Sequence, residues 1–170
     1  KVLGDIYGGG RGKQAEGNDA STAVGANVNG KVWVTVTSGS ARNVYGCNNF
    51  FGFPTDTVTV RVNGTDATVS NVYGGGNLAD ARWENTNKAT RSIVNFSLGN
   101  VQNVFGGGHA AHVGYSIVNV SGGNVSKGVY GGCESSGDVK FDATVNLAGG
   151  SIGAAGSLAN RADGVFGGGL

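Results

Sequence analysis

His109 and His112, three residues apart behind a run of glycines, are the first residues of this chain whose types suggest chemistry. Two imidazoles at that spacing on a helix share one face and can hold a metal ion. Glu134, one repeat further on, is the only carboxylate placed to join them, so the pair reads as loop histidines. The glycine runs themselves raise two other chemistries. Calcium-binding repeats need an acid at a fixed offset after the glycines, and phosphate loops need a Lys-Ser/Thr pair and a following helix. The residues behind the runs are Arg11, Asn48, Asn77, His109, Glu134 and Leu170, which share no acid. The 11 acidic residues are scattered through separate loops and turns, and no Ser-His-Asp or Cys-His set is readable. The expectation is a protein that is not an enzyme and that uses no metal and no cofactor.

Cys47 and Cys133 each replace a glycine of the recurring run. One rung per repeat would set them about 14 Å apart along a stack with ~4.8 Å spacing. Bridged Cα atoms lie within about 7 Å, so the two are expected to be small corner residues and not a disulfide. The residues best suited to recognition are aromatic: Phe50, Phe51 and Phe53 behind one glycine run, Arg82 and Trp83 behind the next. If the inserted loops share one edge, these side chains neighbour one another and are possible contacts for a sugar ring or a protein partner.

What must position these loops is a repeat. The aromatics Tyr7, Tyr45, Tyr73, Phe105, Tyr130 and Phe166 each follow Val or Ile and precede glycine, at intervals of 38, 28, 32, 25 and 36 residues. A constant motif at a variable interval marks stacked units that tolerate insertions at one corner. Before most copies stand alternating stretches such as Val32-Trp33-Val34-Thr35-Val36 and Val58-Thr59-Val60-Arg61-Val62, the pattern of half-buried strands. Turns follow them at Ser38-Gly39, Asn63-Gly64, Gly99-Asn100, Gly122-Gly123 and Gly149-Gly150, where left-handed backbone is expected. Then comes a second short strand ending in the aromatic.

The only helix-like stretch is Asn77–Glu84. Intervals of this size are too short for four-stranded propeller blades. The fold class expected is therefore all-β: one domain over residues 1–170, a right-handed parallel β-helix (β-solenoid) of about five coils with irregular loops on one edge. Inward positions are Val34 and Val36, Val58 and Val60, Val94 and Phe96, Val118 and Val120, Val145 and Leu147. A polar ladder of Thr35, Thr59 or Arg61, Asn95, Asn119 and Asn146 faces outward.

Composition narrows the partners. Of 170 residues 34 are Gly and one is Pro, which excludes collagen, and the β-branched content argues against disorder. Only 14% are charged with a net charge of +1, so no nucleic-acid footprint is present. No apolar run is long enough to span a membrane as a helix. Both ends run straight into the motif, which suggests a segment of a longer repeat protein.

Gly123-Asn124-Val125 followed by Gly128-Val129-Tyr130-Gly131-Gly132 resembles the degenerate repeats of bacterial surface β-helix proteins of the adhesin and autotransporter-passenger type. The resemblance extends along the whole chain and implies an extracellular or cell-surface, structural or adhesive role. The partners expected are other copies or flanking repeats at open ends, stacked as a filament. The alternative is a carbohydrate-binding module using the aromatic loops, and after it a carbohydrate-active enzyme.

Overall fold

The computed structural model describes residues 1–81, 90–153 and 163–170. Among them there is no α-helix, only a short 3-10 turn at Ala20–Thr22, and no helix long and apolar enough to cross a membrane. The strands are β1 (Ile6–Tyr7), β2 (Val32–Val36), β3 (Ser40–Tyr45), β4 (Val58–Tyr73), β5 (Arg91–Phe105), β6 (Tyr115–Tyr130), β7 (Ala143–Ile152) and β8 (Gly164–Phe166). They form one sheet in the order β1-β3-β4-β5-β6-β7, with β2 also on β4 and β8 also on β6, and every strand pairing is parallel.

Register follows the repeat. Val34, Val60, Val94, Val118 and Val145 are successive partners, as are Tyr45, Tyr73, Phe105, Tyr130 and Phe166. Side chains alternate faces along a strand, so each tier sends every second β-branched residue into one continuous valine cluster. Nine of the ten expected inward residues are buried or packed against it. Leu147 is the exception at 50% exposure, because β7 is the last tier of its column and no described residue covers it.

The two short strands expected in each repeat run on as single strands of 15 or 16 residues in β4, β5 and β6. The turn survives inside them as a bend. Gly39, Gly99, Gly123 and Gly150 sit at equivalent places with φ of 80, 101, 76 and 94°. The bend in β4 departs from this pattern: it is two residues longer, Ala67 takes the equivalent place, and the register shifts across it. Neither Asn63 nor Gly64 is left-handed, contrary to expectation.

The corner glycines also have a different cause from the one expected. None lies in the left-handed region. They are required by crowding between tiers: a Cβ on Gly46, Gly74, Gly106 or Gly131 would come within 2.3 to 2.6 Å of the next tier's carbonyl oxygen.

The helical expectation at Asn77–Glu84 fails over its described part, residues 77–81. Asn77 and Leu78 donate their backbone N–H groups to Asn48 and Asn49, and Ala81 to His112. The Ala81 amide, the first that a helix beginning at Asn77 would use in an i−4 bond, is spent on a neighbouring tier. Residues 82–84 lie outside the described residues.

Removing a large apolar side chain should be costly where tiers lie on both sides and cheap at the last tier. Phe96→Ala is expected to lose about 3–5 kcal/mol of stability. Leu147→Ala should fall within about 0.5 kcal/mol of the parent chain. Urea unfolding followed by circular dichroism reads both.

Candidate functional site

In β3, β4, β5 and β6, each of which ends in Val-Tyr or Val-Phe, both residues are buried; in β8 Val165 is exposed and Phe166 half-buried. The valine faces the main core and the ring faces a second, separate cluster on the opposite side of the strand. The six expected corner aromatics stack in order from Tyr7 to Phe166, with centroids 4.9, 4.6, 5.1, 4.7 and 5.1 Å apart and planes within 11°. Those distances match the strand spacing of about 4.8 Å, so each ring simply lies on the ring of its paired residue.

An asparagine ladder lies on the same face, two residues before the aromatics. Asn103 Nδ2 donates to Asn71 Oδ1 at 2.9 Å, Asn71 to Asn43 at 3.0 Å, and Asn43 to Asp5 Oδ1 at 3.1 Å. Arg42 closes the end with a two-pronged bond to Asp5, both arms 2.8 Å, and holds that carboxyl below its ordinary range. At the other end Gly128 replaces asparagine, since a Cβ there would lie 2.5 Å from the Tyr130 hydroxyl. The ladder expected on the first strands also forms, from Asn146 through Asn119 to Asn95 at 2.8 and 2.9 Å. Thr35 and Arg61 occupy the same column.

Behind the corners the residues four after each aromatic make a third ladder: Asn49, Asn77, His109 and Glu134. The second member is thus Asn49, one residue beyond the expected Asn48. Asn77 Nδ2 donates to Asn49 Oδ1 at 2.9 Å, so Asn77 presents its oxygen to His109 Nδ1, also at 2.9 Å. That assigns the proton to Nδ1 and aims Nε2 at Glu134 Oε2, 3.5 Å away. Glu134 reaches back past Phe105 to accept the Tyr73 hydroxyl at 2.6 Å. Phenylalanine at 105 makes this possible, because a hydroxyl there would stand between the two. His112 is engaged separately: its Nδ1 accepts the Asp138 N–H at 2.9 Å, and its own N–H donates to Asp80 Oδ1 at 2.7 Å. The histidines therefore point to different partners. No group of three or more His, Cys, Asp or Glu able to hold a metal occurs among the described residues.

Both cysteines are free and buried. They occupy adjacent places in the motif: Cys47 is two residues after its aromatic and Cys133 three after. Burial pushes the Cys47 thiol up to about 12.

The aromatic loop is only partly available. Phe50 is half-buried beneath the Arg11 guanidinium, 5.7 Å from its ring centre, beside a depression of ≈ 360 Å³ that Lys13 and Gln14 also line. Phe51 is exposed, and Phe53 is half-buried with its backbone N–H on Asn27 Oδ1. The loop joins the preceding tier, where Asn49 and Phe50 donate to Gly10 and Arg11. Arg82 and Trp83 lie outside the described residues. Trp33, 64% exposed, is a further outward aromatic, and its place between the inward Val32 and Val34 is the sequence signal for it. Arg91 over Tyr115 at 4.4 Å, with Tyr115 stacked on Phe141 at 4.9 Å, makes a second outward cluster.

The ring column sets an alkaline limit. Burial, with a carboxylate nearby, raises the phenols of Tyr7, Tyr45, Tyr73 and Tyr130; Tyr7 is pushed up to about 12. A group raised above its unfolded value, about 10 for tyrosine, stabilises the fold fully below that pH. The contribution is lost as pH rises through the folded values. Tyrosinate absorbance and circular dichroism are therefore expected to change together above pH 10, and earlier in Glu134→Gln. Smooth ionisation of these tyrosines with the fold intact would contradict the stacked column. Compared with known proteins, the chain matches no family model, no curated protein and no solved structure.

Proposed function

We propose that this chain is a right-handed parallel β-helix, a β-solenoid whose function is structural or adhesive and whose tiers continue by stacking end to end. Parallel strands joined by crossovers are right-handed in about 98% of cases, which supports the hand. The observation that carries the stacking is at Gly167 and Gly168. Every equivalent pair in the earlier tiers includes a glycine held by contact with the next tier, whereas a Cβ on either of these two would meet nothing within 4 Å. The motif keeps its glycines where no described residue requires them. Phe166 likewise ends the ring column half-buried, and Val165 and Leu147 are exposed beside it. An added tier would cover all of these at once, by the same contacts that join the tiers already present.

A scaffold of this kind suits a cell surface or a secreted fibre, in keeping with the resemblance to bacterial surface β-helix proteins. A second reading, binding of glycans, is favoured by one observation: the exposed Phe51 beside the Phe50–Arg11 depression. Sugar titration monitored by chemical-shift changes at Phe50 and Phe51 separates the two readings, and an unresponsive loop removes the second.

The stacking reading is tested by Gly167→Val. Because no described residue lies near that position and its backbone is not left-handed, the variant should melt with the parent chain. The parent chain should associate progressively with concentration in sedimentation velocity, and the variant should not. A parent chain that stays monomeric throughout would overturn the proposal.

A further inference from the structure

Two strands of the sheet keep an open edge at opposite ends of one column. Among the described residues β2 pairs only with β4 and β7 only with β6. The column of second strands ends differently. Beyond β3 it has one more strand, β1, whereas nothing described lies beyond β2. At the far end β7 and β8 both pair with β6 and finish level. Two copies joined as proposed, with Tyr7 of one on Phe166 of the other, would therefore bring β1 onto β8. Their β7 and β2 would then stand two rungs apart, about 9.6 Å. That gap is the width of one strand.

We infer that the free edge of β2 is a binding site for one extended peptide segment, running parallel to it, about five residues long, with apolar β-branched side chains at alternate positions. The edge belongs to the single chain; only the bridging of two copies rests on the stacking reading.

Three observations define the occupant. Val32, Val34 and Val36 retain 5, 8 and 7% exposure, whereas their partners Val58, Val60 and Val62, with tiers on both sides, have 0%. The inward positions of the segment must close that remainder, as Val and Phe do in the other tiers. In the outward column Trp33 is 64% exposed, whereas Thr59, Ile93 and Ile117, with tiers on both sides, are buried or half-buried, so a neighbouring tier covers part of this column. Finally, natural edge strands are kept from pairing by lysine, proline or a bulge. The five residues of β2, Val-Trp-Val-Thr-Val, carry none of these. Main-chain hydrogen bonds would supply the affinity and the alternation would set the register, since a one-residue slip puts the wrong face inward.

The probe is a synthetic peptide copying residues 57–63, Thr-Val-Thr-Val-Arg-Val-Asn, added to the full chain, with tryptophan emission as the readout. A saturable shift to shorter wavelength is expected as Trp33 is covered. It should be absent in the Trp33→Phe chain, and absent for the same peptide carrying Val60→Pro, which cannot donate to a ladder. No saturable shift, an equal response to the proline peptide, or a shift that persists in Trp33→Phe would each overturn the inference. Sedimentation of the same samples keeps the readings apart. A chain that associates but ignores the peptide retains the stacking proposal and loses this one, and a monomer that takes the peptide does the reverse.

Discussion

Parallel strands hold their neighbours about 4.8 Å apart, and in this protein that spacing is imposed on side chains as well as on backbone. Each paired position meets its equivalent in the tier before and the tier after. A residue type can repeat from tier to tier only if it can lie on a copy of itself at that distance. Flat rings can, and six do, with separations of 4.6 to 5.1 Å. Primary amides can, because each has one donor and one acceptor to pass along the stack. Like charges cannot, which is why the one carboxylate at the head of an amide ladder, Asp5, is held by Arg42.

The same spacing explains the glycines. A corner in which consecutive tiers bring a carbonyl oxygen within 2.6 Å of a would-be Cβ leaves room for no side chain. The requirement comes from the neighbouring tier, and the backbone angles of the corner itself are ordinary. Exceptions are absorbed locally. Asn48 takes a corner place by turning its amide onto the Ala26 and Phe51 carbonyls. Phe105 omits one hydroxyl from the ring column, and Glu134 uses the space to tie Tyr73 to the post-corner ladder. The Tyr73–Glu134 tie is made in full, whereas Asn48 spends its Nδ2 on two carbonyls and its buried Oδ1 has no partner among the described residues, a cost carried inside the corner.

Stacking of this kind does not terminate itself. The contacts that seat β5 between β4 and β6 are the contacts that β7, β8 and the free edge of β2 leave unmade, so the ends of the array carry the same recognition chemistry as its interior. The proposed recognition by the ends needs no special residues, only the repeat. That is a different logic from the loop aromatics, where Phe50 and Phe53 are already engaged by the preceding tier and Phe51 is the member left free.

Much of this was legible in the order of residues. Alternation of valine with polar residues located the strands and their inward faces, because period two has one structural meaning. The aromatic-glycine motif located the tiers. The triplets Asn43-Val44-Tyr45, Asn71-Val72-Tyr73 and Asn103-Val104-Phe105 also held the signal of the second amide ladder, since residues two apart share a face. What the tertiary structure alone decided depends on distances between tiers. The rings form a separate cluster from the valines, Leu147 is bare because no described tier lies beyond it in its column, and Glu134 bonds to a tyrosine 61 residues earlier in the chain. A single strand carries the periodicity of its own faces, but which side chain lies above another is set by register, and register exists only once the tiers are paired.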